Sequence, residues 1–136
     1  MRILGIDYGD SRVGVAVSDP LGMTAQGVGT VKNRGRERLI SDLSEIIDKY
    51  NPEKIVIGLP RNMDGSEGFR VEATYEFKAW LEEVYKGEII LWDERLSTVS
   101  ALGILNETNT RGKERKKVLD TVAACIILEN YINFSN

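Results

Sequence analysis

The first thirty residues alternate between apolar and small or polar side chains, which is the pattern of β-strands. An apolar run at 3–6 and alternating valines at 13–17 are separated by the turn-forming residues 9–11. This arrangement predicts a β-hairpin with Asp7 at its mouth. Residues 24–31 predict a third strand, which would complete an antiparallel meander.

From residue 36 onward, apolar positions recur at helical spacing instead of alternating. They predict an amphipathic helix over residues 36–50, ended by Asn51-Pro52. Continuous apolar runs at 54–60 and 88–92 predict two buried strands, each parallel to the first because each follows a helical crossover. The other predicted elements are a polar loop over 61–68, helices over 69–85 and 99–106, a mobile loop over 107–117, and a last helix over 118–134.

These elements predict an α/β fold with one five-stranded mixed sheet, in which three antiparallel strands are followed by two parallel ones and helices cover both faces. A chain of 136 residues is long enough for one core, and we expect residues 1–136 to form a single domain. The carboxyl ends of the first, fourth and fifth strands would meet at one edge of this sheet. We therefore expect the residues that follow those strands to lie close together.

Composition restricts the chemistry that this edge could perform. The chain has no histidine, which excludes Ser-His-Asp and Cys-His mechanisms and histidine-bound zinc. Its single cysteine, Cys125, has no disulfide partner and lies in an apolar run, which predicts a small core residue. No apolar run is long enough to span a membrane and no signal peptide precedes the first strand, so we expect no membrane partner.

Acidic residues lie at one end of three predicted elements. Asp7 ends the first strand, Asp93 or Glu94 ends the fifth, and Asp120 lies in the first turn of the last helix. Oxygen ligands of this kind suit Mg²⁺ or Mn²⁺, and two such ions about 3.5–4 Å apart can hydrolyse a phosphodiester without an imidazole. Each acid also has a structural explanation: a turn cap for Asp7, a salt bridge with Arg95 for Asp93 or Glu94, and the helix dipole for Asp120. Their convergence at one edge beside basic residues favours a metal site.

Basic residues form two clusters, although the formal net charge of the chain is −3. The first cluster contains Lys32, Arg34, Arg36 and Arg38, and the second contains Arg111, Lys113, Arg115, Lys116 and Lys117. Each cluster is explained either by a solvated face or by contacts with nucleic-acid phosphates. The clusters alone do not decide between these interpretations.

Four motifs follow one another along the chain: GIDYG at 5–9 with RVGVAVSD at 12–19, GLPRNMDGSE at 58–67, DERLST at 93–98, and DTVAA at 120–124. Together they resemble the YqgF family, Holliday-junction resolvase-like proteins that are also described as pre-16S rRNA nucleases of bacteria. The resemblance covers nearly the whole chain. Residues 115–119 depart from the Lys-Gly-Lys-Ile type of sequence common in the family, which leaves the position of the second basic cluster open.

The resemblance implies an RNase H-like fold, divalent-metal nuclease chemistry and a cytoplasmic role in maturing the 5′ end of small-subunit ribosomal RNA. It implies Asp7, Glu94 and Asp120 as catalytic residues and as ligands of a two-metal Mg²⁺ or Mn²⁺ site, and Glu94 is preferred to Asp93 on the family match alone. The expected substrate-binding residues are Arg12, Arg61, Asn62, Ser66, Arg95, Arg111, Lys113 and Arg115. Residues 62–65 are equally well explained as a simple turn.

The function that these observations favour is a metal-dependent endonuclease acting on structured nucleic acid, with precursor rRNA as the expected partner and a monomer or homodimer as the expected state. A resolvase of branched DNA and a catalytically silent module for RNA binding or ribosome assembly remain as alternatives. Residues 7–11 also resemble the first phosphate loop of the actin, sugar-kinase and Hsp70 group. Those proteins close a second domain over ATP, for which this chain is too short.

Overall fold

Five strands form one mixed sheet in the order β3-β2-β1-β4-β5. The structure, a computed structural model, describes residues 2–59, 69–93 and 112–135. The described elements are β1 (Ile3–Tyr8), β2 (Arg12–Ser18), β3 (Ala25–Lys32), α1 (Arg36–Tyr50), β4 (Lys54–Leu59), α2 (Phe69–Glu82), β5 (Glu88–Asp93) and α3 (Gly112–Ser135). The β1–β2 and β2–β3 pairs are antiparallel, whereas β1–β4 and β4–β5 are parallel, which confirms the predicted mixed sheet.

The two faces of the sheet are covered by different helices, because successive side chains of a strand point to opposite faces. Alternate residues such as Ile6 and Val15 pack with α1 and α2 in one buried cluster. The residues between them, including Ile3 and Ala16, pack against α3 in a second cluster. The chain turns out of α1 at Asn51, whose left-handed φ of 46° ends the helix where the sequence predicts.

Small residues let α3 lie close to the sheet. Gly5, Ala16 and Gly27 are register partners across β1, β2 and β3, so they form one row beneath the helix. A Cβ built on Gly5 would lie 2.9 Å from the Cβ of Leu128, and one built on Gly27 would lie 2.7 Å from Cγ2 of Thr121. Larger side chains in this row would therefore push the helix away from the sheet.

The last helix differs most from its prediction. α3 begins at Gly112, so residues 112–117, which were predicted to continue a mobile loop, are helical. The prediction was wrong because lysine, arginine and glutamate favour helices, yet a stretch without apolar residues carries no hydrophobic periodicity. Although α3 has 24 residues, neither it nor any other helix within the described ranges is long and apolar enough to cross a membrane.

Smaller differences concern burial. β5 was predicted as a buried strand, but its residues are half-buried or exposed because it forms the edge of the sheet and has one neighbour. In α2 the buried face includes Thr74. Val84 falls within the helix predicted over 69–85, but it lies beyond the observed helix and is exposed. Cys125 is half-buried rather than a core residue, and burial raises the pKa of its thiol.

Candidate functional site

Two of the predicted acidic residues come together on the α3 face of the sheet. Asp7 lies near the carboxyl end of β1, and its register partner on β2 is Gly14. The backbone of Asp120 on α3 packs directly over Gly14, so closely that a Cβ there would overlap the carbonyl oxygen of Asp120. Because Asp7 alternates with Ile6 and Tyr8, which pack on the other face, it lies on the same side as Asp120.

The position of Asp120 within its helix differs from the prediction. It was expected in the first turn of the last helix, but α3 begins at Gly112 and Asp120 lies in its third turn. The influence of the helix dipole falls off within the first turn, so capping does not explain this carboxylate.

Arg12 is the direct partner of Asp120. Its Nε donates a hydrogen bond to Oδ2 of Asp120 at 2.8 Å, between side chains that are 31% and 21% exposed. Arg12 was predicted to bind substrate, and the sequence offered no signal for this pairing across 108 residues. Among the described residues, Oδ1 of Asp120 has no hydrogen-bond donor, so one oxygen of the carboxylate remains for another cation.

Asp93 ends β5 on the opposite face from Asp7. Trp92 makes edge contacts with Tyr131 and Phe134 of α3, and Leu91 packs in the cluster of α1 and α2. By strand alternation Asp93 therefore lies on the side of Leu91. Since β4 separates β1 from β5, the backbones at Asp7 and Asp93 are also about 10 Å apart. Asp93 is consequently poorly placed to share a ligand with Asp7 and Asp120.

The turn between β1 and β2 is hydrogen-bonded to Asn33, the residue that follows β3. Asn33 donates from its backbone nitrogen to the carbonyl of Ser11 at 2.9 Å and from Nδ2 to the carbonyl of Gly9 at 3.0 Å. A Cβ at Gly9 would lie 2.5 Å from the carbonyl oxygen of Arg12, so the turn is tight. The contribution of Asn33 was not predicted, because a single asparagine after a strand is an ordinary loop signal.

The oxygen-only donor set of Asp7 and Asp120 fits a hard divalent ion such as Mg²⁺ or Mn²⁺. The guanidinium of Arg12 indicates that the position already attracts a cation. Within residues 2–59, 69–93 and 112–135, however, no three His, Cys, Asp or Glu side chains group closely enough to hold a metal. Any third carboxylate ligand would therefore come from outside these ranges.

Most other predicted site residues lie outside the described part of the chain. These are Arg61, Asn62, Ser66, Glu94, Arg95 and Arg111. Lys113 and Arg115 lie in α3, whereas the sequence predicted a loop at their positions. The predicted helix over 99–106 also lies outside the described residues.

Sequence comparison relates almost the entire chain to one family. Residues 1–134 match the family described as "RuvX: Holliday junction resolvase". A protein of Halothermothrix orenii is 48% identical over 136 residues, covering 100% of this chain and 97% of that protein. A protein of Bacillus pumilus is 46% identical over 138 residues, with full coverage of both. Each of these relatives is named "Putative pre-16S rRNA nuclease".

Structural comparison relates the fold to two resolvases. The RuvC of T. thermophilus in complex with a Holliday junction substrate superposes with a TM-score of 0.59 at 15% identity, covering 99% of this chain and 95% of that one. The Fowlpox virus resolvase with Holliday junction DNA gives 0.61 at 12% identity, covering 99% of each chain. At such identities the likeness concerns the fold, and it confirms the predicted RNase H-like architecture.

Proposed function

Because the chain belongs to the family described as RuvX Holliday junction resolvases, we propose that it is a divalent-metal-dependent endonuclease that processes the 5′ end of precursor 16S rRNA. In this proposal residues 1–136 form a single nuclease domain that acts in the cytoplasm. The observation that carries the proposal is the convergence of Asp7 and Asp120 beside Arg12, at the carboxyl end of the central strand of an RNase H-like sheet.

The proposed metal ligands are Asp7, Asp120 and Glu94. Support for Glu94 over Asp93 comes from β5, in which Asp93 alternates onto the face of Leu91, away from the other two acids. Two bound Mg²⁺ or Mn²⁺ ions would supply an activated water and stabilise the leaving oxygen. The absence of histidine from the chain is compatible with this chemistry, which requires only oxygen ligands.

Within this proposal Arg12 has two functions. Its hydrogen bond fixes the side chain of Asp120 in the absence of metal, and its charge offsets the repulsion between neighbouring carboxylates. Being 31% exposed, the guanidinium also remains accessible to a phosphate oxygen of the substrate. The remaining substrate contacts are assigned to Arg61, Asn62, Ser66, Arg95, Arg111, Lys113 and Arg115.

Cleavage of branched DNA is the second candidate, favoured by the family description and by a chemistry that does not involve the 2′-hydroxyl. The two substrates require the same acids at the same positions. Competition between a precursor 16S rRNA fragment and a four-way DNA junction, both end-labelled, ranks them directly.

The test compares wild type with Asp7→Asn on both substrates, with Mg²⁺, with Mn²⁺ and with EDTA. We expect wild type to cleave only with a divalent ion, and Asp7→Asn to be slower by about 100-fold or more, the scale of losing one strong electrostatic contact to a transition state. Asp48→Asn, an exposed acid of α1, is the matched control and should cleave normally. Cleavage that survives in Asp7→Asn, or in EDTA, would refute the proposal.

A further inference from the structure

We propose that Lys32 and Arg34 form a phosphate-binding track that continues from the candidate site and holds the backbone of the nucleic-acid substrate. The inference rests on the proposed nuclease function and assigns a surface to the substrate. It divides the first basic cluster into two residues that bind nucleic acid and two that have structural partners.

Lys32 lies on the same face of the sheet as the two acids. Its register partner is Arg12, and Thr30, two residues earlier on β3, bonds through its hydroxyl to Thr121 of α3 at 3.1 Å. Thr30 in turn pairs with Gly14, the partner of Asp7. Two residues along a strand span about 6.8 Å and β2 separates β3 from β1, so the backbones at the exposed Lys32 and at Asp7 are about 12 Å apart on the same face.

The pairing of Lys32 with Arg12 is not explained by stability. Like charges directly opposite each other on neighbouring strands destabilise a sheet. The carboxylate of Asp120 neutralises the charge of Arg12. Neither Lys32 nor Arg34 forms an ion pair with any residue that the structure describes. A polyanion lying across the two cations would remove this repulsion.

The other two residues of the first basic cluster have acidic neighbours. Arg36 bonds to Glu83 at 2.6 Å and lies over the ring of Trp80, and the bond to Glu83 raises its pKa. Arg38 lies 3.9 Å from Asp42 on the next turn of α1. These contacts are sufficient to explain Arg36 and Arg38 as residues of a solvated helix face.

The backbone that carries the track is held in place. Asn33, between the two cations, is bonded to both Gly9 and Ser11 of the turn that follows Asp7, and its Oδ1 accepts from the nitrogen of Gly35 at 3.3 Å. The backbone at Lys32 and Arg34 is therefore held beside the turn that follows Asp7, which reduces the backbone entropy lost on binding. Lysine and arginine here would contact phosphates, which gives affinity and register without reading sequence.

The test measures binding of a labelled precursor 16S rRNA fragment and of a four-way DNA junction in EDTA, where no bond is cleaved, across a salt titration. We expect Lys32→Gln and Arg34→Gln each to reduce the slope of log affinity against log salt by about 0.7 to 0.9, the value for one phosphate contact. Lys32→Arg, which keeps the charge, should retain the wild-type slope. Lys49→Gln, an equal loss of charge at the far end of α1, should leave the slope unchanged.

The outcomes separate the track from the nuclease function. A Lys32→Gln/Arg34→Gln double variant with the slope of wild type overturns the track, whether or not wild type cleaves. Reduced slopes in a protein that shows no metal-dependent cleavage support the track and overturn only the nuclease. Wild type that binds neither nucleic acid overturns both.

Discussion

At the residue scale, one ion pair determines how Asp120 is presented. Arg12 engages Oδ2 of Asp120, and both side chains are partly exposed to solvent. Pairs of this kind contribute about 0.2 to 1 kcal/mol because solvent screens them. The pair therefore has little effect on stability, and it orients the carboxylate of Asp120.

Asp120→Asn tests whether this carboxylate serves chemistry rather than folding. We expect the free energy of unfolding, from urea titration, to fall by no more than about 1 kcal/mol. Cleavage should fall by about 100-fold or more, because the amide loses the charge that a divalent ion requires.

Asp42→Asn is the matched control, since Asp42 also lies near an arginine but on the exposed side of α1. It should change neither stability nor cleavage. A loss of several kcal/mol in Asp120→Asn would instead identify the Arg12 pair as a structural element.

At the element scale, the placement of Asp120 depends on how closely α3 approaches β2. Gly14 is in contact with the backbone of Asp120, whereas a Cβ on Gly27 of β3 would meet side-chain atoms, Cγ2 of Thr121 and Sγ of Cys125. A backbone carbonyl within a helix cannot move alone, whereas a side chain can rotate, although rotation of Thr121 would also move the hydroxyl that is bonded to Thr30. The two glycines therefore differ in what a larger residue would displace.

Gly14→Ala should destabilise the protein by about 1 to 3 kcal/mol, the usual range for overpacking, and should abolish cleavage by displacing Asp120 from Asp7. Thermal unfolding and the cleavage assay check the two effects. Gly27→Ala is the control, and it should lower both the stability and the cleavage rate by less than Gly14→Ala does. Wild-type stability and activity in Gly14→Ala would contradict the close packing of α3 on β2.

At the scale of the whole molecule, Tyr85 links two segments on the face of the sheet opposite the acids. Its hydroxyl donates to the carbonyl of Pro52 at 3.0 Å, which ties the segment after α2 to the start of β4. Burial raises the pKa of Tyr85 above its usual value of about 10, and Glu53 and Glu88 add to the effect. A raised pKa gives a stability that is complete below pH 10 and is lost as the pH rises through the folded-state pKa.

Tyr85→Phe should lower the free energy of unfolding by about 1 kcal/mol at neutral pH, through loss of the bond to Pro52. The difference from wild type should shrink above pH 10, because wild type alone loses the contribution of Tyr85 there. Urea titrations from pH 7 to 11 measure this difference. Tyr75→Phe, at an exposed tyrosine of α2, is the control, and its free energy of unfolding should match that of wild type at each pH. A difference between Tyr85→Phe and wild type that stays constant with pH would exclude the linkage.

Much of the candidate site follows from local pattern, and the rest depends on packing. Asp7 is predictable because its position follows an alternating apolar run in a hairpin. The position of Asp120 within its helix was predicted wrongly. The charged start of α3 has no apolar periodicity, so the helix was predicted to begin six residues too late. The Arg12–Asp120 pair joins residues 108 apart, which no local pattern indicates.

The sequence by itself determined the strands, the principal helix and the mixed sheet, because apolar periodicity and turn residues act over a few positions. It also excluded mechanisms that need an imidazole, since the chain has no histidine. Only the tertiary structure decided that Asp120 lies over Gly14 beside Asp7, that Arg12 pairs with Asp120, and that Asp93 lies on the other face. These depend on the depth at which α3 packs and on strand register, which arise only when distant elements meet.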